Sequence, residues 1–340
     1  MNLFKAELRR IARRRLTLVF GILLLAGVVG LAVILASISS KGPSEETLAE
    51  AQAQADEMNE QNPDYLDCVE DESYFEDNEM YGWVETDPEY EGMSHKEACE
   101  HAVGGWWAED FIWTYTFDFE NEGPFVIVGV MIVAGLVMML LGSSAIGAEW
   151  SSGGMSNLMV WHPNRMRLWG VKLGAALAAC AAGVVVLAAL AFGLLVLVAS
   201  LRGEVGVLDG VWWEDTLELV LRTGVLALGM TLLGASLAML GRHTAIAGGV
   251  IAGYLIVGEL IVNMVSMNLS MDFPERLSLY TWVGAWITGR VELYGAYSGF
   301  NDMTPEVMVI TWGDAGVLLG AIVLLFGALA TWSFQRRDAA

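Results

Sequence analysis

The stretch LTLVFGILLLAGVVGLAVILASI, residues 16–38, follows directly on RRIARRR, residues 9–15. It carries no charge. As a helix rising 1.5 Å per residue it covers about 35 Å, enough to cross a hydrocarbon layer of about 30 Å. It is also longer than the apolar core of a secretory leader, so it is read as a retained first span. The rest of the chain agrees. Of 340 residues, 55% are hydrophobic, mean hydropathy is +0.50, and the apolar residues come in long blocks rather than scattered. Further blocks fall at residues 124–141, within 169–201, and at 217–240, 245–267 and 315–334. The expected fold is an all-α membrane protein with six transmembrane helices.

Basic residues near the span ends give the orientation. Lys5, Arg9, Arg10, Arg13, Arg14 and Arg15 precede the first span; Arg165, Arg167 and Lys172 lie between the second and third; Arg242 lies between the fourth and fifth; Arg336 and Arg337 follow the sixth. That places 12 of the 18 basic residues on one side, with only Glu7, Glu149 and Asp338 as acids there. Both termini are therefore expected in the cytoplasm of a cell-membrane protein. Residues 1–15 carry Leu3, Phe4, Leu8 and Ile11 near helical spacing among the basic residues. This pattern suits an interfacial helix facing anionic lipid, although a plain positive-inside anchor has the same composition. A tail, residues 335–340, ends the chain.

The net charge of −22 is local: 25 of the 40 acids fall between Glu45 and Glu122. Residues 39–123 are thus expected as an extracytoplasmic acidic domain between spans one and two. Nucleic acid is excluded as its partner, since phosphate would be repelled. Pro43-Ser44-Glu45-Glu46 reads as a helix start, and Asn62-Pro63-Asp64 as its end. Cys68 and Cys99 lie in this domain. An oxidising compartment would let them pair as a disulfide closing a loop of about 30 residues; two free thiols are the other reading. His95, Cys99 and His101 are a weak soft-metal pattern, and the scattered acids have no calcium-loop spacing, so no metal is expected.

No Walker loop, H-E-x-x-H or G-x-S-x-G occurs, and the only lysines are Lys5, Lys41, Lys96 and Lys172. No catalytic residue and no cofactor are assigned. Glu259 is the one acid deep in a span, and Asn263 is one turn on. Such a carboxylate faces a water-filled path or a partner, or is a hydrogen-bonded structural group. The stretch at 142–168 holds Glu149, Ser151, Gly153, Leu158, Pro163, Arg165 and Arg167, an amphipathic piece with a glycine break, a proline and a basic cluster.

That stretch, with Lys172, resembles the inner loop of ABC-2 type permeases, the membrane subunits of ATP-binding-cassette exporters. The opening LFKAELRR, residues 3–10, is similar to that family's interfacial helix. The resemblance implies a five-span bundle at residues 124–334 beside the first span at 16–38. It implies a cytoplasmic coupling loop at 142–168 and an external re-entrant stretch at 268–314. It further implies a second permease subunit, homo- or heterodimeric, and a nucleotide-binding ATPase subunit carrying ATP and magnesium. Coupling would run through Glu149, Ser151, Gly153, Leu158, Pro163, Arg165 and Arg167, and the translocation path would pass Glu259 and Asn263. The cargo (peptide, drug or lipid-like) stays open. The large acidic domain departs from many members, and a non-transporting receptor or assembly protein is the alternative.

Overall fold

The computed structural model describes residues 3–78, 80–84, 87, 90, 92–103, 105–161, 164–268, 273–295 and 306–336. The chain divides into two units. One comprises residues 1–34, 118–199 and 205–340; the other comprises residues 35–117 and 200–204.

Helix α1 (Leu3–Ala12) precedes α2 (Arg15–Ile38). The acidic unit is built from short capped helices: α3 (Glu45–Glu60), α4 (Pro63–Glu70), α5 (Tyr74–Asp77) and α6 (His95–Ala102). Ser44 caps α3 by accepting from the Thr47 amide, and Asn62 caps α4, where Pro63 takes the first turn. Ser94 and Glu97 form a reciprocal capping box on α6. The core is small: Tyr65, Phe75, Val84, Ala98 and Val103 gather around Cys68 and Cys99. Those two sulfurs are bonded, with Cα atoms 5.9 Å apart. Within the same unit, the Ser39 hydroxyl donates to the Arg202 carbonyl and accepts from the Phe117 amide. Gly203 lies so close to the Phe117 carbonyl that a Cβ has no room there.

Burial and the neighbouring Glu100 carboxylate push the Tyr65 phenol up to about 12; Tyr65 donates to Glu100 at 3.2 Å. The unfolded chain releases this proton near pH 10, whereas the folded unit holds it. The stabilisation is complete below pH 10 and is lost as pH rises toward 12. Alkaline unfolding of the acidic unit, followed by tryptophan fluorescence, should therefore show a loss of stability between pH 10 and 12. In Tyr65→Phe that loss should be smaller.

The other unit continues with α7 (Phe119–Ser151), α8 (Gly154–Trp161), α9 (Arg165–Arg202) and α10 (Gly210–Gly241). Pro124 sits inside α7. It cannot donate to the carbonyl four residues back, and that Glu120 carbonyl instead accepts from the Trp212 indole at 2.8 Å. The helix runs on to Ser151, so the first ten residues of the 142–168 stretch are helical rather than loop. Their polarity is absorbed locally, as where the Ser143 hydroxyl donates to the Leu140 carbonyl. Small residues let α7 and α10 approach closely: a Cβ on Gly135 would meet Ala227 at 3.1 Å, and one on Gly142 would meet Thr231 at 3.2 Å.

After α10 the helical backbone is continuous from Thr244 to Asn268, but in three pieces: α11 (Thr244–Gly253), a π-turn (Tyr254–Gly258) and α12 (Glu259–Asn268). Helix α13 (Leu279–Thr288) follows. An antiparallel ladder of β1 (Arg290–Tyr294) and β2 (Val307–Thr311) pairs Arg290 with Thr311 and Tyr294 with Val307. Helix α14 (Trp312–Arg336) ends the described chain. Among the described residues five helices, α2, α7, α9, α10 and α14, are long and apolar enough to cross a membrane. The expected fifth span, residues 245–267, is not among them because the π-turn divides it. The expected external stretch at 268–314 is partly strand.

Candidate functional site: a buried charge cluster at the neck of the α7–α9 connection

Glu149 lies in the last turn of α7, and Lys172 lies two turns into α9. The residues between the two helices are the loop and α8. Lys172 Nζ is 2.5 Å from Glu149 Oε2 and 3.0 Å from Glu7 Oε1 on α1. Arg10 Nη1 stands 2.8 Å from Glu149 Oε1 and 3.8 Å from Glu7; Arg14 Nη2 stands 3.6 Å from Glu149. The Glu149 and Lys172 side chains are each only 4% exposed. The cations approach Glu149 at ion-pair distance, but neither carboxylate oxygen has the alignment of a hydrogen bond among the described residues. Arg14 also donates to the Ser144 and Ala145 carbonyls, which ties the turn between α1 and α2 to α7. Burial lowers the Arg14 pKa below its ordinary value, and Glu149 opposes that shift.

The apolar face of α1 packs on the bundle: Ile11 is buried with Ala175 and Ala176 of α9, and Phe4 packs against the same cluster. Three helices therefore meet at the neck of one loop, and the Glu149–Lys172 pair closes that neck. Sequence reading marked Glu149 and Lys172 as motif residues. It missed Glu7 as their partner. The available signal was one acid in an otherwise basic helix.

Helix α8 has two faces. Met155 and Met159 are buried with Ile146, Trp169, Met239 and Phe334. Val160 and Trp161 are 77% and 76% exposed. Gly153, at φ +72°, turns the chain into α8. Leu158 packs on the buried cluster, and Ser151 bonds back to the Ala148 carbonyl. Arg165 donates to the Gln335 carbonyl at 3.3 Å. Arg167 is exposed, with its amide capped by Asn164. Pro163 lies outside the described residues.

The proposed path residues sit apart from this cluster. The half-buried Glu259 begins α12 and accepts from the Tyr254 hydroxyl at 2.6 Å and from Ser278 at 2.9 and 3.0 Å. Ser278 caps α13, and the Tyr254 hydroxyl accepts from the Leu279 amide at 3.0 Å. The carboxylate thus ties the π-turn to the start of α13. Asn263 donates to the Glu259 carbonyl on its own helix. In the acidic unit, Cys68, His95 and Cys99 have their ligand atoms within 4.8 Å of one another. His101 is elsewhere, against Tyr90 and Trp107.

A chain whose described residues include five membrane-length helices is a multi-pass membrane protein, and here buried charge closes the connection between two of those helices, α7 and α9. A family model described as "ABC-2 family transporter protein" matches residues 1–339. The chain belongs to the ABC-2 transporter family, whose members are membrane transport components. No curated protein and no solved structure matches the chain.

Proposed function

We propose that this chain is the permease subunit of an ATP-driven exporter. It would cross the cell membrane six times with both termini cytoplasmic, the segment Thr244 to Asn268 serving as the fifth span. The observation that carries this reading is the closed neck of the inner loop. A push on α8 cannot be absorbed by the loop alone, because Glu149 and Lys172 tie its two shoulders together and to α1. It is passed to α7, α9 and α1 as a unit. The exposed Val160 and Trp161 and the exposed Arg167 that follows them in sequence offer apolar and basic groups to a peripheral subunit. That subunit would bind and hydrolyse ATP. This chain would pair with a second permease, and cargo would move between the two by alternating access.

The test is copurification. Pull-down of the full chain from solubilised membranes should bring a second, soluble-type subunit with ATPase activity. Arg165→Glu with Arg167→Glu should remove most of that activity from the eluate while the permease still elutes as a folded species. A wild-type preparation with no ATPase partner overturns the reading.

A further inference from the structure

Along α1 and the turn that follows it lies a shallow, open cleft of about 550 Å³, lined by Ala6, Arg9, Arg10, Arg13 and Arg14. Four of its five lining residues are arginines. Arg10 and Arg14 are partly neutralised from behind by Glu7 and Glu149. Arg9 and Arg13 are exposed and have no carboxylate partner among the described residues.

The charges can be counted. Arg10, Arg14 and Lys172 face Glu7 and Glu149, leaving one positive charge in excess. Arg9 and Arg13 raise the excess to three. Like charges this close repel, and an anion between them relieves the repulsion. Guanidinium forks match phosphate oxygens in geometry as well as charge. The apolar side of the helix is already used against Ala175 and Ala176; Arg10 and Arg14 reach back to Glu149, and Arg9 and Arg13 are left exposed.

We propose that this cleft is a discrete binding site for the headgroup of an anionic phospholipid, one phosphate-bearing headgroup per chain. A phosphomonoester, with close to two negative charges, suits an excess of three better than a single phosphodiester does. Its source as lipid rests on the cytoplasmic placement of α1 proposed above; binding of the headgroup itself does not. Because Arg10 and Arg14 serve both the cleft and Glu149, a phosphate in the cleft competes with the Glu149 carboxylate for them. Occupancy therefore loosens the neck of the inner loop.

Native mass spectrometry of the full chain in detergent tests this. The probes are dioleoyl phosphatidic acid, dioleoyl phosphatidylcholine as a zwitterion with the same tails, and inorganic pyrophosphate as a tail-free anion. A one-to-one adduct with phosphatidic acid is expected, well above that with phosphatidylcholine. Arg9→Gln with Arg13→Gln should weaken it about 30-fold, at about 1 kcal/mol per basic residue near an anionic surface. Both side chains are exposed and unpaired, so the fold should survive. Arg9→Lys with Arg13→Lys should keep most of the binding, and Arg165→Gln with Arg167→Gln should keep all of it. Glu149→Gln, which frees Arg10 and Arg14, should strengthen it. Equal retention of both lipids, or undiminished binding in the glutamine pair, overturns the site. Full displacement of the lipid by equimolar pyrophosphate overturns the lipid source. If the glutamine pair loses a copurifying ATPase subunit but keeps the lipid, the cleft belongs to that protein and the proposal fails.

Discussion

Glu149→Gln is expected to destabilise the permease by about 3–5 kcal/mol, the usual result of removing one partner from a buried ion pair. The substitution keeps the shape of the side chain and removes only its charge. Lys172, Arg10 and Arg14 would then face Glu7 alone, three cations against one anion. Lys172→Met should cost less, because it leaves two cations against two carboxylates. The order of the two effects is itself the test, read as melting of the detergent-solubilised chain monitored by tryptophan fluorescence. The double variant should cost less than the sum of the singles, since the two charges touch. If Glu149→Gln melts within about 0.5 kcal/mol of wild type, as an ordinary surface change does, the cluster does not hold the loop. On the transport reading, Glu149→Gln should also lower cargo-stimulated ATPase activity in the assembled complex by more than its loss of stability explains.

Opening the Cys68–Cys99 bond is expected to have the next largest effect. The bond closes a separation of 31 residues, which the chain-entropy relation converts to about 3–4 kcal/mol of stabilisation. The acidic unit has little else to compensate. Its core is a handful of side chains around the bond itself, and its many carboxylates repel one another. Paired Cys68→Ser and Cys99→Ser, or a thiol reductant applied to the wild-type chain, should expose the α4–α6 region to limited proteolysis. The membrane helices should remain protected. A cleavage pattern identical in oxidised and reduced chains would mean that the small core suffices alone.

How far the sequence reaches depends on the range of the signal. Helices α2, α9 and α14 are readable because a bilayer imposes a minimum apolar length, and that length is a local property. The helical reach of α7 past residue 142 is not readable from polarity. Gly142, Ser143 and Ser144 look like the start of a loop, yet the lack of a side chain on Gly142 is what lets Thr231 of α10 lie close. The π-turn leaves no compositional mark, since Tyr254 to Gly258 is as apolar as a regular helix. The charge cluster is the clearest limit. Glu7 and Lys172 are 165 positions apart, and each by itself reads as an ordinary charge near a membrane edge. Their pairing is a fact of packing. Glu259 and Asn263 were paired by helical spacing, and they do share a face. However, the carboxylate is turned to Tyr254 and Ser278, and the amide to its own backbone.

The wide turn at Tyr254–Gly258 acts as a dislocation in the helical segment from Thr244 to Asn268. With one residue more than a regular turn needs, the surface stripes of α11 and α12 are out of phase by about 100°, the angle that one residue occupies in a helix. A pattern drawn down α11 therefore does not continue down α12, and each half answers to its own neighbours. Deleting a single residue within the turn would leave the composition almost untouched. It would swing the Glu259 carboxylate about a quarter of the way around the axis, away from Ser278, and unhook α13 from the segment that now holds its first turn.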